Sequence, residues 1–176
     1  LAADCRTVTD ALAAAEAPVS GPDRRWLDLC AGPGGKSALL AALAAERGAL
    51  LVANETQPHR AGLVALNLTD AATGGLVDGT AGVVAGDGTR APFPEGSFDR
   101  VLVDAPCSGL GALRRRPEAR WRRRPEDLDG LVPLQRDLLA GALRLVRPGG
   151  VVLYATCSPV LAETRADGLH PGYGFL

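Results

Sequence analysis

Two cysteines stand in matching settings. Cys107 lies in Asp104-Ala105-Pro106-Cys107-Ser108-Gly109 and Cys157 in Tyr154-Ala155-Thr156-Cys157-Ser158-Pro159, each just beyond an apolar run. Buried cysteine usually acts as a small hydrophobe. Both of these fall in loops instead of core runs, a setting in which a thiol can react. A thiolate nucleophile requires a lowered pKa, and the arginines that follow Cys107 would favour one. The rival reading is a disulfide. Wide spacing of the four cysteines (Cys5, Cys30, Cys107 and Cys157) and the lack of a visible export signal argue instead for reduced thiols in a cytoplasm. No C-x-x-C pair occurs and there are two histidines, so a structural zinc site is not expected.

Three acids close apolar runs. Glu55 ends Leu50-Leu51-Val52-Ala53-Asn54-Glu55, Asp87 ends Val83-Val84-Ala85-Gly86-Asp87, and Asp104 ends Val101-Leu102-Val103-Asp104. Each alone reads as a helix cap or a solvated charge. Together, at the ends of parallel strands, they would line one sheet edge, where an acid after the second strand can accept hydrogen bonds from a ribose. A glycine-rich turn, Cys30-Ala31-Gly32-Pro33-Gly34-Gly35-Lys36, follows the first apolar run. Glycines there let backbone approach a ligand, and the free N–H groups opening the next helix can hold an anion. A Walker loop would need glycine where Cys30 stands, and a G-x-G-x-x-G fingerprint would need it at Ser37. The turn is therefore neither, and the ligand points to a nucleoside only through the acids beside it.

The elements that must position these residues follow from periodicity. A helix is expected over Val8–Ala17, a strand ending near Cys30, a helix from Ser37 to about Arg47 stopped by Gly48, and a second strand over Ala49–Glu55. A helix starts at Gln57-Pro58, with proline suited to its first turn. A loop from Asp70 leads to a third strand over Gly82–Asp87, and Phe98–Asp104 is the fourth. Pro133–Val146 reads as a helix stopped by Arg147-Pro148-Gly149-Gly150, and Val151–Thr156 as the fifth strand. Strands alternating with helices predict an α/β fold with a mostly parallel, doubly wound sheet. The expected organisation is a helix and linker over 1–24, one ligand-binding domain over 25–165, and an irregular tail over 166–176.

The chain has 176 residues and a net charge of -1, which suits one soluble domain and gives no overall nucleic-acid signal. No apolar run approaches bilayer-spanning length. Because it begins at Leu1, it is expected to be a piece of a longer protein. Arginine is unevenly spread: Arg114, Arg115, Arg116, Arg120, Arg122, Arg123 and Arg124 crowd one segment around Trp121. Guanidinium groups bind phosphates, and an exposed aromatic can stack on a splayed base. A solvated loop anchored by a buried Trp121 is the alternative.

Asp28-Leu29-Cys30-Ala31-Gly32-Pro33-Gly34-Gly35-Lys36, Asp104-Ala105-Pro106-Cys107-Ser108-Gly109 and Ala155-Thr156-Cys157-Ser158-Pro159 together resemble the Sun/Fmu (RsmB-like) RNA cytosine-5 methyltransferases, and so does the stretch from Leu110 through Trp121. The resemblance runs from about Trp26 to Arg165. It implies a Rossmann-like class I methyltransferase domain that lacks the family's later strands. It further implies S-adenosylmethionine held by Cys30, Ala31, Gly32, Pro33, Gly34, Gly35 and Lys36, with Glu55 and Arg60 at the ribose and Asp87 at the adenine. Cys157 would attack C6 of the base, Cys107 would assist product release, and Asp104 would contact the cytosine and assist protonation at N3. Arg114, Arg115, Arg116, Arg120, Trp121 and Arg122 would meet RNA, with ribosomal RNA the expected substrate, transfer RNA the alternative, and no metal or membrane partner. The rivals are a non-catalytic module of the same fold and a DNA cytosine methyltransferase using the Pro-Cys thiol. Glycine spacing disfavours a nicotinamide oxidoreductase.

Overall fold

The structure, a computed structural model, describes residues 5–114, 117, 119–122 and 124–164. Arg115, Arg116, Glu118 and Arg123, and the expected tail over 166–176, lie outside the described residues. The chain runs α1 (Cys5–Glu16), β1 (Arg25–Asp28), α2 (Gly35–Glu46), β2 (Leu50–Glu55), α3 (Pro58–Asn67), β3 (Thr80–Ala85), β4 (Phe98–Asp104), α4 (Ala119–Arg122), α5 (Asp127–Leu145), β5 (Val146–Ala155) and α6 (Leu161–Thr164). All pairings in the five-stranded sheet are parallel, in the order β3-β2-β1-β4-β5.

Both faces of the sheet are covered. Trp26, Leu51 and Leu102 point toward one helical layer, packing with Ala11 and Ala14 of α1, Leu40 and Ala44 of α2, and Val64 of α3. Leu27, Val101 and Val103 point the other way, onto Leu138, Ala142 and Leu145 of α5. Burial on two sides explains why Val101-Leu102-Val103 of β4 are consecutive apolar residues instead of alternating with polar ones. Helix ends follow local chemistry. The Gly48 N–H donates to Ala45 and that of Ala49 to Ala44, with Gly48 at φ +64°, a closing motif that needs a left-handed residue.

The strand order places the switch point between β1 and β4. The chain winds outward from β1 through β2 to β3, then returns on the far side of β1. Ligands bind in such crevices, beyond the carboxyl ends of the strands. Here that crevice lies between the turn after Asp28 and the loop after Asp104.

Three sequence expectations are corrected. β3 ends at Ala85, so Asp87 stands beyond the strand and caps the turn over Gly88–Arg90. α5 begins at Asp127, with Pro133 inside it, because Asp127 and Asp129 complement the helix dipole at the true start. β5 begins at Val146, not Val151. Phe98 pairs with Val146 and Arg100 with Val151, so residues 147–150 bulge opposite the single residue Asp99. The bulge delivers Arg147, whose Nε donates to Asp99 Oδ1 at 2.5 Å, while Asp99 Oδ2 takes the N–H groups of Arg24 and Arg25.

Arg100 resolves another apparent misfit, a cation inside an interior strand, β4. Its Nε and Nη2 grip the Asp23 carboxylate, and its Nη1 caps α1 by donating to the carbonyls of Ala14 (2.8 Å) and Ala17 (2.6 Å). The guanidinium also lies 5.3 Å from the centre of the Trp26 ring. Arg100→Ala is expected to destabilise the fold by about 3 kcal/mol, read from the midpoint of urea unfolding, since it leaves the Asp23 carboxylate with only the Trp26 Nε1–H and takes the guanidinium from two carbonyls.

Candidate active site

Pairing of β4 with β5 brings the two cysteine loops together. Asp104 is registered on Ala155, the Ala105 N–H donates to Ala155, and the Gly111 N–H donates to the carbonyl of Cys157. The sulfurs of Cys107 and Cys157 lie 3.1 Å apart, in hydrogen-bond contact, and both are free thiols, not a disulfide. The Cys107 thiol is lowered to about 6, chiefly by the hydrogen bond with Cys157, with the N–H groups of Cys157 and Gly109 assisting against burial. The proton lost belongs to the pair, since either sulfur can be the donor. Thiol alkylation of the folded protein is therefore expected to follow a pH midpoint near 6. In the unfolded chain that midpoint moves up to about 8.5, the ordinary cysteine value. A pH series with iodoacetamide and mass-spectrometric readout checks this. Cys30 differs: burial and the carboxylates of Asp28, Asp104 and Glu55 push its thiol up, so it stays protonated.

Lys36, in the first turn of α2, reaches two acids. Its Nζ lies 2.7 Å from Asp104 Oδ1 and 2.5 Å from Asp10 Oδ2, on α1. Burial works against the ammonium, but Asp104 and Asp10 outweigh it and hold the Lys36 pKa above its ordinary value. Asp104 is thus tied to the glycine turn across the switch point while its side chain remains 37% exposed.

The turn itself is braced from β2 and α3. Glu55 accepts the Gly32 N–H through Oε2 (3.0 Å) and the Gln57 N–H through Oε1 (3.0 Å). Arg60 donates to the Gly32 carbonyl at 2.7 Å, and Asn67 donates to that of Pro33. Ala31 is buried and donates to Asn54. Gly34, at φ +111°, precedes α2, and no side chain caps the amide end that starts at Gly35. Asp28 is fully buried at the end of β1; burial pushes its carboxyl up to about 6, although Ser37 donates to Oδ2, and Oδ1 has no partner. Asp87 is solvent-facing, and Thr89 donates to its Oδ1 through both N–H and hydroxyl, which holds its carboxyl below the usual range.

Among the arginines, Arg114, Arg120 and Arg122 are exposed. Trp121 is 85% exposed, which removes the buried-anchor reading. Arg115 and Arg116 lie outside the described residues.

Three contributors escaped the sequence reading. Asn54, buried in β2, donates through Nδ2 to Leu29 and Gly86 and so pins the ends of β1 and β3 together. A lone amide in an apolar strand was the available signal. Asp10 carried none, because its partner sits 26 residues away on another helix. Glu163 carried none either, and it receives both cysteine loops.

A parallel sheet in this order, with a glycine turn after β1 and acids along its carboxyl edge, defines a Rossmann-like, class I methyltransferase domain. The model of the 16S rRNA methyltransferase RsmB/F family matches residues 17–167, and the chain belongs to that family. A Mycobacterium tuberculosis protein named as a methyltransferase is 60% identical over 160 residues, covering 88% of this chain and 33% of that protein. The ribosomal RNA small subunit methyltransferase B of Sodalis glossinidius is 40% identical over 166 residues, covering 92% and 36%. The crystal structure of NSun6 from Pyrococcus horikoshii with SFG superposes with a TM-score of 0.71 at 25% identity, over 90% of this chain and 38% of that one. The chain thus spans about a third of the length of the curated relatives it matches.

S-adenosylmethionine is the methyl donor of this family. The crevice fits such a group. A β-carbon at Gly32 would stand 2.1 Å from Glu55 Oε2, so the turn can lie against that acid only as glycine. The partnerless Asp28 Oδ1 offers an acceptor, and the amide end of α2 suits a carboxylate. Among the described residues, no cluster of His, Cys, Asp and Glu could hold a metal ion, and no helix is long and apolar enough to cross a membrane.

Proposed function

We propose that this chain is the catalytic part of an enzyme that methylates C5 of a cytosine in RNA through a covalent cysteine adduct. Ribosomal RNA is the substrate class, on the strength of the family and of the relatives' names. The observation that carries the reading is the thiol pair at 3.1 Å, in the loops after β4 and β5, with β4 the neighbour of the strand that leads into the glycine turn. When bound, S-adenosylmethionine supplies a methyl group on a sulfonium, held by residues Cys30 to Lys36, with Glu55 and Arg60 at the ribose and Asp87 at the adenine.

Cytosine C5 is a poor nucleophile. Addition of the Cys157 thiolate at C6 forms an S–C6 bond and makes C5 enamine-like. The pair's remaining proton then sits on Cys107. Asp104, its carboxylate held by the ammonium of Lys36 2.7 Å away, assists protonation at N3 by accepting a hydrogen bond from the N3–H that forms when N3 takes up a proton from water. After methylation the C5 proton departs to a base and the S–C6 bond breaks, a step in which Cys107 assists. Arg114, Arg120 and Arg122 face phosphates, and the exposed Trp121 offers a surface on which a base can stack. The target base must be swung out of any helix to enter the crevice.

The test is transfer of radiolabelled methyl from S-adenosylmethionine to RNA, with DNA in parallel, beside calorimetric binding of the donor. Binding without transfer to either polymer, or transfer to DNA alone, overturns the reading.

A further inference from the structure

Between the two thiol loops lies a buried carboxylate that the reaction itself does not use. Glu163, on α6, is 2% exposed. Its Oε1 accepts the Ser108 N–H at 2.8 Å and Gln135 Nε2 at 3.0 Å. Its Oε2 accepts the hydroxyl of Ser108 at 2.6 Å and that of Ser158. The two hydroxyl oxygens are themselves 3.0 Å apart. Ser108 directly follows Cys107 and Ser158 directly follows Cys157. Gln135 also donates to the carbonyl of Pro106, the residue before Cys107 (2.8 Å). One side chain therefore fixes the residue next to each sulfur.

We propose that Glu163 is a positioning residue that clamps the loops after β4 and β5 so that the sulfurs of Cys107 and Cys157 meet. Burying an ionised carboxylate is costly unless its lone pairs are filled, and here four donors fill them. Burial acts to raise the Glu163 carboxyl, but Ser108, Ser158 and Gln135 outweigh it and hold it below its usual range. The charge cannot be what activates the thiols, because a nearby anion opposes a thiolate. Burial, then the charge on Cys107 and only then that of Glu163, push the Tyr154 hydroxyl up. The clamp acts through geometry: it holds the contact that lets one sulfur donate to the other.

Geometry and charge predict opposite signs. If Glu163 holds the sulfurs in contact, Glu163→Ala loosens both loops and the pair's alkylation midpoint climbs from about 6 by a unit or more, toward the ordinary cysteine value of about 8.5. Glu163→Gln keeps the shape and one acceptor, and so raises the midpoint by less. If Glu163 acted by charge, either change would lower the midpoint. A residue that merely supported the fold would move the melting temperature and leave the midpoint alone.

The experiment is the iodoacetamide pH series on the wild-type chain and both variants, each first shown folded by circular dichroism. A midpoint at or below the wild-type value in a folded variant overturns the proposal. Should Glu163→Ala not fold, Glu163→Gln is read; should neither fold, Ser158→Ala is read, with the same expected rise. The consequence for turnover rests on the methyltransferase reading: Glu163→Ala is expected to lower kcat about 10²-fold with donor affinity unchanged. Alkylation needs neither donor nor RNA, so a shifted midpoint in a chain that transfers no methyl would sink that reading while leaving the clamp.

Discussion

Cys157→Ala is expected to reduce methyl transfer to RNA by on the order of 10⁴-fold or more, because loss of a covalent nucleophile removes the pathway and not just a contact. Cys107→Ala should behave differently. It retains the attacking sulfur, so a covalent RNA–protein species should form and persist, visible as a slow-migrating band on denaturing gels. Donor binding by calorimetry should be unchanged in both, since neither sulfur belongs to the glycine turn. The two variants also differ from wild type in the thiol titration. Either one deletes the 3.1 Å contact, so the surviving thiol should titrate well above the wild-type midpoint of about 6. An adduct that forms in Cys157→Ala and disappears in Cys107→Ala would reverse the roles given to the two thiols.

Gly32→Ala carries the second large effect. The added methyl carbon would stand 2.1 Å from Glu55 Oε2, 2.8 Å from Arg60 Nη2 and 2.9 Å from Arg60 Nε. Arg60 is a flexible chain and can swing aside. Glu55 cannot easily follow, because it is 4% exposed and its other oxygen holds the Gln57 N–H. The turn must therefore lift off the acid, breaking the hydrogen bond from Gly32. Overpacking of this kind costs about 1–3 kcal/mol of stability. Donor affinity should fall about 10²-fold, equivalent to roughly 2.7 kcal/mol. Gly62→Ala is the matched control: it lies in α3, its new methyl meets nothing within 4 Å, and it is expected to gain up to about 1 kcal/mol. Equal donor affinity for Gly32→Ala and wild type would remove the glycine turn from the binding site.

What could be read from the chain alone depended on whether the determining contacts were local. β4 was legible to the residue, Phe98 to Asp104, because its centre, Val101-Leu102-Val103, is covered on both faces and is apolar at every position. The stop of α2 at Gly48 was legible because a left-handed closing residue is a local need. The start of α5 was misplaced because Pro133 outweighed Asp127 and Asp129, although all three suit the first turns of a helix. The bulge in β5 was invisible because Arg147-Pro148-Gly149-Gly150 is breaker chemistry by any local rule. Its reason is a buried acid, Asp99, 48 residues earlier. At the site, the motifs marked the cysteines, Asp104 and the glycine turn. The residues that brace them (Asp10, Asn54 and Glu163) act across distances in sequence that no spacing rule covers.

α1 joins the two ends of the domain. Its last carbonyls are held by Arg100 at the amino end of β4, while one of its side chains, Asp10, touches the lysine opposite Asp104 at the carboxyl end. The stretch that identifies the family begins at residue 17, after this helix. A version of the protein trimmed to that stretch would keep every recognisable signature and all five strands of its sheet, yet its lone lysine would have a single counterion where it now has two. Recognition and reactivity are therefore written in overlapping but unequal parts of the chain.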